Sequence, residues 1–299
     1  MKRIFCLLLV IAASALAPFV QAADDPLVMG VFPRRNFAET ARLFTPMADY
    51  LGERLGRKVT LVTSRNFAAF WTAVSEERYD IVHYNQYHYI RSAQTYQVIA
   101  HIEEFGKSTI TPTVYVRRDS GITSLAQLRG RTIMFGGGED AMISHIAVRH
   151  LLQLGGLKTD DVRTLFAVNP PNALLALDRR QAAAAGAGDV ILGSPEVRGY
   201  MNTDELAALA VSPALLQLPV AVRRDMPAAL RAEIQSILIE LEHSERGRRV
   251  LAAAAMTGMG KAEDRDYDPH RRIAAAVLGP GAVVPLEPAR ERAYGKPGK

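Results

Sequence analysis

The sequence predicts an α/β protein of two lobes, with mostly parallel sheets, helices on both faces of each sheet and two hinge crossovers between the lobes. Short apolar runs alternate with segments of helical period over residues 27–102, as strands and helices alternate in such sheets. An extended run at 112–117 interrupts this alternation, which resumes at residue 124 and so indicates a second lobe. The chain has 299 residues and is 48% apolar, which is enough to bury two cores.

The first lobe is predicted to start with a buried strand over residues 27–32, an apolar run that ends at Pro33. We expect a loop over 34–40 and then a helix over 41–55, because apolar residues recur there at helical spacing and Gly56 supplies a stop. The alternation continues with strands at 59–62, 80–83 and 98–102 and with helices at 67–76 and 87–93.

The second lobe is predicted to repeat the same pattern after the strand at 112–117. A short helix capped by Ser124 precedes a strand at 131–135, a helix at 141–154 and another helix at 172–177. The Ala- and Gly-rich stretch 182–192 contains a strand whose register the sequence does not fix. A run at 219–222 is predicted to return to the first lobe, where 227–241 forms a long helix with Pro in its first turn.

These elements divide the chain into lobes. Residues 23–117 and 221–277 are assigned to the first lobe and 118–220 to the second, with hinges near 112–119 and 219–224. Residues 278–299 are rich in Pro and Gly, so we expect a flexible tail.

The first 22 residues predict export. Lys2 and Arg3 precede an apolar run of about 14 residues, which is short of a membrane span, and small residues end at Ala22 where signal peptidase would cut. The alternative is an uncleaved anchor. Cys6 is the only cysteine, so a chain cut at Ala22 has no disulfide, no thiol nucleophile and no cysteine metal site.

Charge and motifs argue against two further classes. The 36 Lys and Arg residues are interspersed with 31 Asp and Glu residues, which predicts no nucleic-acid partner. Gly136, Gly138 and Ala141 formally match a dinucleotide fingerprint, but Glu139 and Asp140 would repel a pyrophosphate. We therefore predict neither an enzyme nor a cofactor. A secreted enzyme using Asp140 or His145 as acid or base is the remaining catalytic alternative.

Several segments resemble those of a known family. Their order and spacing along the chain make the resemblance specific: 46–51 (Pro-Met-Ala-Asp-Tyr-Leu), 79–82 (Tyr-Asp-Ile-Val), 116–131, 222–227 and 266–269. Over about residues 27–277 the chain resembles the periplasmic phosphate/phosphite/phosphonate-binding proteins that supply ABC importers. The resemblance implies a type II, two-lobed periplasmic protein that acts as a monomer and closes on a small solute. Its expected partner is an ABC permease; the alternative partner is a sensor kinase ectodomain that senses the same closure.

The chain departs from the family at the ligand turn. Where the family has Asp-Pro-x-Ser-Thr-Ser-Gly, residues 136–144 read Gly-Gly-Gly-Glu-Asp-Ala-Met-Ile-Ser. A helix N-terminus there still favours an anion, so we assign to the site the residues Gly138, Glu139, Asp140, Ser144 and His145. The family's binding His falls near Pro170 and its acidic residue near Ala183. Because the hydroxyl cluster is missing, we expect a ligand other than a simple phosphonate.

Two further groups are predicted to bind the ligand. Residues 83–89 place consecutive hydrogen-bonding side chains after a strand, where parallel sheets bind ligands, and we select His83, Tyr84, Asn85 and Tyr89. Tyr89 matches the family, and Phe67 keeps the family's ring without its hydroxyl. The alternative is a helix start whose tyrosines cover the core.

Arg34 and Arg35 follow the first strand and are predicted to bind an anionic group through paired N–H bonds, the alternative being a solvated loop. A metal hypothesis would combine His83, His88 and His145 with Glu139 and Asp140. His83 and His88 are five residues apart rather than four, so they do not share a helix face, and we predict no metal site.

Overall fold

The computed structural model describes residues 25–33 and 37–288. The predicted signal segment, Arg34, Arg35 and residues 289–299 lie outside the described residues. The strands are β1 (Leu27–Val31), β2 (Val59–Thr63), β3 (Ile81–His83), β4 (Tyr96–Glu103), β5 (Thr109–Ile110), β6 (Pro112–Arg117), β7 (Thr132–Gly136), β8 (Arg163–Ala167), β9 (Ala184–Gly188), β10 (Leu206–Val211), β11 (Leu215–Leu216), β12 (Pro219–Arg223) and β13 (Gly258–Lys261).

The α-helices are α1 (Phe37–Leu55), α2 (Phe67–Ser75), α3 (Gln86–Ser92), α4 (Ala147–Leu154), α5 (Pro170–Asp178), α6 (Pro195–Arg198), α7 (Ala228–Ile239), α8 (Glu245–Ala253) and α9 (Asp268–Leu278). A π-helix over Met142–Ile146 leads directly into α4. Within the described ranges, none of these helices combines the length and apolar character that a membrane crossing requires.

Side-chain caps fix where several helices begin. The side chains of Asn66, Asn85, Asn169, Ser194 and Ser244 accept first-turn N–H groups of α2, α3, α5, α6 and α8. Each cap satisfies a donor that has no acceptor within its helix and contributes about 1 kcal/mol. Three of the caps stand beside the cleft described below, so local sequence sets the geometry of the site.

Each lobe is built on one sheet. The first-lobe sheet has the strand order β13-β4-β12-β3-β1-β2, and the second-lobe sheet has the order β10-β6-β9-β7-β8. The predicted α/β, two-lobed architecture is therefore confirmed. β6 belongs to the second-lobe sheet, however, so the first lobe ends before residue 112 rather than at 117.

The sheets are mixed, although most strands share a direction. β12 and β13 oppose the other strands of the first sheet, and β6 opposes the other strands of the second. β6 and β12 are the strands on which the chain enters a lobe from a crossover. They start at the edge where the parallel strands end, so they run antiparallel to them.

The crossovers meet as a short ribbon. β5 and β11 pair antiparallel between the two sheets, with Leu215 opposite Ile110 and Leu216 opposite Thr109. The segments predicted as hinges, near 112–119 and 219–224, instead begin inside the lobe sheets as β6 and β12. The β5–β11 ribbon, rather than β6 or β12, therefore lies between the two sheets.

Each lobe has its own buried apolar core, and one further apolar cluster connects the two lobes. One large core surrounds the first sheet, and two smaller cores cover the two faces of the second. A fourth cluster joins the lobes: Tyr87 and Ala274 of the first lobe pack with Met142, Ile143 and Ile146 of the second. The lobes therefore share an apolar contact that includes α9 and the π-helix.

Several elements differ from the sequence expectation. Residues 37–40 belong to α1 rather than to a loop, and the helix expected at 141–154 is divided into a π-helix and α4. β9 supplies the strand whose register the sequence left open. The predicted tail is ordered in its first part, because Tyr87 Oη donates to the Ala282 carbonyl at 3.1 Å and Leu286 N to the Arg91 carbonyl at 2.7 Å.

Candidate functional site

A cavity of about 800 Å³ lies between the lobes and is lined by both of them and by the crossovers. First-lobe residues such as Thr40 and Asn85 face second-lobe residues such as Ser144 and Asn169, and Gln217 of a crossover lies at the same cavity. Its volume is at the upper end of the range of roughly 300–1,000 Å³ that is common for ligand pockets. A solute bound here would contact both lobes.

Helix starts from both lobes surround the cavity. The beginnings of α3, the π-helix, α5 and α6 contribute Gln86, Met142, Pro170 and Pro195, and Thr40 stands in the first turns of α1. The N-terminal end of a helix carries partial positive charge and backbone N–H donors. α5 and α6 begin with proline, and the caps of α3, α5 and α6 already accept first-turn N–H groups. The feature that favours an anionic group is therefore mainly the convergence of the positive ends of the helix dipoles.

The rest of the lining is mainly apolar. Phe32, Leu43 and Phe44 of the first lobe lie opposite Ile143 and Ile191 of the second. Among the described lining residues, the only formally charged side chain is that of Glu104, whose carboxylate accepts a hydrogen bond from the Gln217 amide at 3.3 Å. The described lining therefore offers an anion helix dipoles and neutral polar groups beside a large apolar surface, and the Glu104 carboxylate disfavours an anion in its own part of the cavity.

Of the predicted site residues within the described ranges, three line the cavity. Asn85 caps α3 through Oδ1 and places Nδ2 3.2 Å from Nδ1 of His88. The Ser144 hydroxyl donates to the Gly136 carbonyl, which fixes its orientation at the start of the π-helix. The Phe67 ring packs edge-on against Phe32, with 5.8 Å between ring centroids.

Three other predicted residues lie in the first-lobe core, behind the lining. The Tyr84 hydroxyl is 3.0 Å from the Ser92 hydroxyl, and Tyr89 Oη donates to Asp264 Oδ1 at 2.5 Å. Burial raises the pKa of both tyrosines. His83 is fully buried, with Nδ1 3.2 Å from the Pro219 carbonyl. These side chains support the lining rather than form it, which corrects the expectation for all three.

The loop after β7 lies beside the cavity. Gly136 and Gly137 line it, whereas Gly138, Glu139 and Asp140 do not. Asp140 Oδ2 instead approaches Nε2 of His88 in the other lobe at 3.5 Å, and this hydrogen bond lowers the pKa of Asp140.

His145 is also outside the lining. Its ring is buried between Phe135 and Phe166, with centroid distances of 4.8 and 5.0 Å, and burial lowers its pKa. Nδ1 lies 2.8 Å from the Glu139 carbonyl, so His145 holds the loop from behind.

The described residues do not form the metal site considered in the sequence analysis. No three His, Cys, Asp or Glu side chains converge on one point among residues 25–33 and 37–288. His83 packs against Phe32 in the first lobe, and His145 packs against Phe135 in the second. Arg34 and Arg35 follow the lining residue Pro33 in sequence but lie outside the described residues.

Several lining residues were not predicted, and two of them have a recognisable signal. Asn169 and Ser194 each precede a proline at the start of a helix, the pattern typical of a capped N-terminus. Pro170, where the resemblance placed a binding residue, does line the cavity, whereas Ala183 packs against a second-lobe core. Glu104, Phe105, Tyr200 and Gln217 lie in connections without a local pattern.

The family is settled by a family model. The model described as "ABC transporter, phosphonate, periplasmic substrate-binding protein" matches residues 29–267. The chain belongs to this family. The resemblance found in the sequence is thereby confirmed, and this phosphonate-binding-family protein is a periplasmic solute-binding protein of ABC transport, with a small-molecule ligand and a membrane permease as partner. The family is one of solute-binding proteins, not of enzymes.

Solved structures confirm the fold. XAC2383 from Xanthomonas citri, bound to chloride ion, matches with a TM-score of 0.72 at 17% identity, covering 87% of this chain and 99% of that one. PhnD1 from Prochlorococcus marinus in complex with methylphosphonate matches with a TM-score of 0.71 at 14% identity, covering 85% and 98%. The periplasmic aliphatic sulphonate binding protein SsuA from Escherichia coli matches with a TM-score of 0.61 at 15% identity, covering 86% and 93%.

Proposed function

We propose that this protein captures a small organic oxyanion in the cavity between its lobes and presents it to an ABC permease. The observation that carries the proposal is a cavity of about 800 Å³ lined from both lobes, at which several helices begin. Helix starts favour the anionic group, and a solute that contacts both lobes stabilises the form in which they are closed.

The lining supports an organic anion over an inorganic one. A fully hydrated oxyanion gains nothing from rings such as Phe32, Phe44 and Phe67, whereas an organic substituent gains about 25 cal/mol for each Å² of apolar surface it buries. The methylphosphonate in the Prochlorococcus relative is a small ligand. This chain lacks the family's hydroxyl cluster at 136–144, which agrees with a different member of the same chemical class.

Capture would work by closure about the β5–β11 ribbon. Contacts that a solute makes with both lobes exist only in the closed form, so binding shifts the equilibrium toward it. A shift from mostly open to mostly closed requires about 5.5 kcal/mol of differential contact. We further propose that residues 1–22 are a cleaved signal, that the mature chain acts as a monomer and that the permease, rather than a sensor kinase ectodomain, senses closure.

The test is the identity of the solute that the protein carries. Native mass spectrometry of freshly purified protein should reveal a bound organic phosphonate or sulfonate, and calorimetry with that compound should give a Kd of about 1 μM or tighter. A bound metal ion, or a cationic or neutral solute, would contradict the proposal. Reconstituted permease whose ATPase activity does not respond to the loaded protein would contradict the transport role.

A further inference from the structure

Three exposed side chains stand at the edge of the cavity and also line it. The exposed fraction is 49% for Phe105, 82% for Val168 and 70% for Tyr200. Phe105 belongs to the first lobe, and Val168 and Tyr200 belong to the second. Because all three line the same cavity, an apolar group of a bound ligand would remove their surface from water.

Phe105 is held in an unfavourable backbone conformation. Its φ is +53°, in the left-handed region that glycine or asparagine adopts more readily. The turn that contains it is closed by backbone bonds between Glu104 and Lys107 at 3.0 and 3.1 Å, and Gly106 N donates to Thr257 Oγ1 at 2.9 Å. Phe105 and Gly106 are the two central residues of this turn, and both have positive φ, as a two-residue turn of this kind requires. The turn therefore fixes the position of the Phe105 ring beside the cavity.

The turn also brings the ring toward the second lobe. A methyl group built on Gly193 would come within 3.8 to 3.9 Å of the Phe105 ring. The ring therefore lies close to the second-lobe backbone at Gly193, which has no side chain. Lys107 Nζ bonds Asp189 Oδ2 at 3.0 Å and ties the same turn to the second lobe. Phe105 is thus positioned to contact a solute that touches both lobes.

The apolar edge adjoins a polar end of the cavity. Val168 directly precedes Asn169, the cap of α5, and consecutive Cα atoms are about 3.8 Å apart. Pro170 and Pro171 have no N–H group, and the N–H of Asn172 already donates to the Asn169 side chain. One small molecule can therefore place an apolar group against Val168 while its anionic group lies near the positive end of the α5 dipole.

We propose that Phe105, Val168 and Tyr200 form an apolar subsite for the organic substituent of the solute, which makes the ligand an oxyanion with an aromatic or bulky aliphatic group. This inference rests on the proposed function and narrows it. The oxyanion is held at the helix starts, and its substituent covers the three exposed side chains. Closure then buries apolar surface contributed by both lobes.

The test compares phenylphosphonate with methylphosphonate by calorimetry on the full chain. Burial of a phenyl group predicts that wild type binds phenylphosphonate about tenfold or more tightly. Phe105→Gly and Phe105→Asn both suit the left-handed backbone, so both are expected to fold, and each should lower that ratio toward one. Arg180→Gly is the matched control: Arg180 has φ +59° and does not line the cavity, so its substitution should preserve the ratio.

The outcomes separate this inference from the proposed function. Equal affinity of wild type for the two phosphonates, or an unchanged ratio in both Phe105 variants, overturns the subsite while leaving anion capture intact. Failure of wild type to bind either phosphonate or the corresponding sulfonates overturns the proposed function and the subsite together. Thermal unfolding of each variant shows whether it is folded before its affinity is interpreted.

Discussion

The contact between His88 and Asp140 links the lobes, and replacing Asp140 by Asn tests what it contributes. Asn85 Oδ1 accepts the N–H groups of Tyr87 and His88, so Nδ2 is the atom that faces His88 Nδ1 at 3.2 Å. Nδ1 must then accept a hydrogen bond, which leaves the proton on Nε2, 3.5 Å from Asp140 Oδ2. A neutral His88 ring therefore donates to the Asp140 carboxylate.

The expected magnitude is small. The contact is long, and the Asp140 side chain is 52% exposed although that of His88 is only 1% exposed. Partly exposed charged contacts contribute about 0.2–1 kcal/mol. Asp140→Asn should therefore shift the equilibrium between open and closed forms toward the open form by a factor of up to about five.

Single-molecule fluorescence transfer between the lobes measures this shift without a solute. Cys6 is the only cysteine and lies in the segment proposed to be cleaved, so the chain from residue 23 onward accepts labels at Asp49→Cys in α1 and Gln153→Cys in α4, both exposed positions. Glu139→Gln is the matched control, because it removes one negative charge from the same loop without a contact to His88. An unchanged or larger closed fraction in Asp140→Asn would refute the reasoning.

The same pair predicts a pH dependence. The hydrogen bond from His88 lowers the pKa of Asp140 below its ordinary value of 3.8. A lowered carboxyl pKa stabilises the form that makes the contact above pH 3.8 and loses this effect as the pH falls through the lowered value. The contribution of Asp140 to the closed fraction should therefore be constant near neutral pH, where the carboxyl group stays ionised, and should decline only in acid.

Three further predictions concern stability and affinity. Glu77→Gln removes a carboxylate that lies 3.0 Å from Arg223, and both side chains are nearly fully buried. The substitution should lower the free energy of unfolding in urea by about 3 kcal/mol. A decrease below about 1 kcal/mol would contradict the contribution of the buried pair. Gly136→Ala places a methyl group 2.3 Å from Pro170 Cα and should destabilise the protein by about 1–3 kcal/mol. The methyl group of the control Gly138→Ala meets no neighbour, so that variant should keep its stability. Equal thermal stability of the two variants would contradict this packing. The double substitution of Arg34 and Arg35 by Gln should weaken calorimetric binding of the carried anion by about tenfold or more, and unaltered affinity would favour a solvated loop.

The sequence predicted the elements whose pattern is periodic and missed those whose pattern is not. β1, β2 and α1 have apolar residues at the expected spacing. β8 is an edge strand that is largely exposed, so its residues carry no alternation. β10 has the sequence Leu-Ala-Ala-Leu-Ala-Val, whose composition suits a helix, and it is a strand because it pairs with β6.

The sequence pointed to segments at one edge of the sheet, and the structure shows which of their side chains line the cavity. Residues 83–89 follow β3, and Asn85 of this segment lines the cavity. α3 begins at Gln86, so the helix turns Tyr89 into the core, while Tyr84 packs beneath the sheet edge. Side-chain direction depends on the exact helix start, which the cap at Asn85 would have indicated. Phe105 and Tyr200 come from separate connections, and only tertiary structure brings them to one cavity.

A crystal structure of the protein with the solute it carries from the cell tests the central claim most directly. The account predicts the solute between the lobes, its oxyanion at the starts of the π-helix and α5 and its organic group against Phe105 and Tyr200. A solute held by one lobe alone, or on a surface away from Asn85 and Ser144, would contradict it.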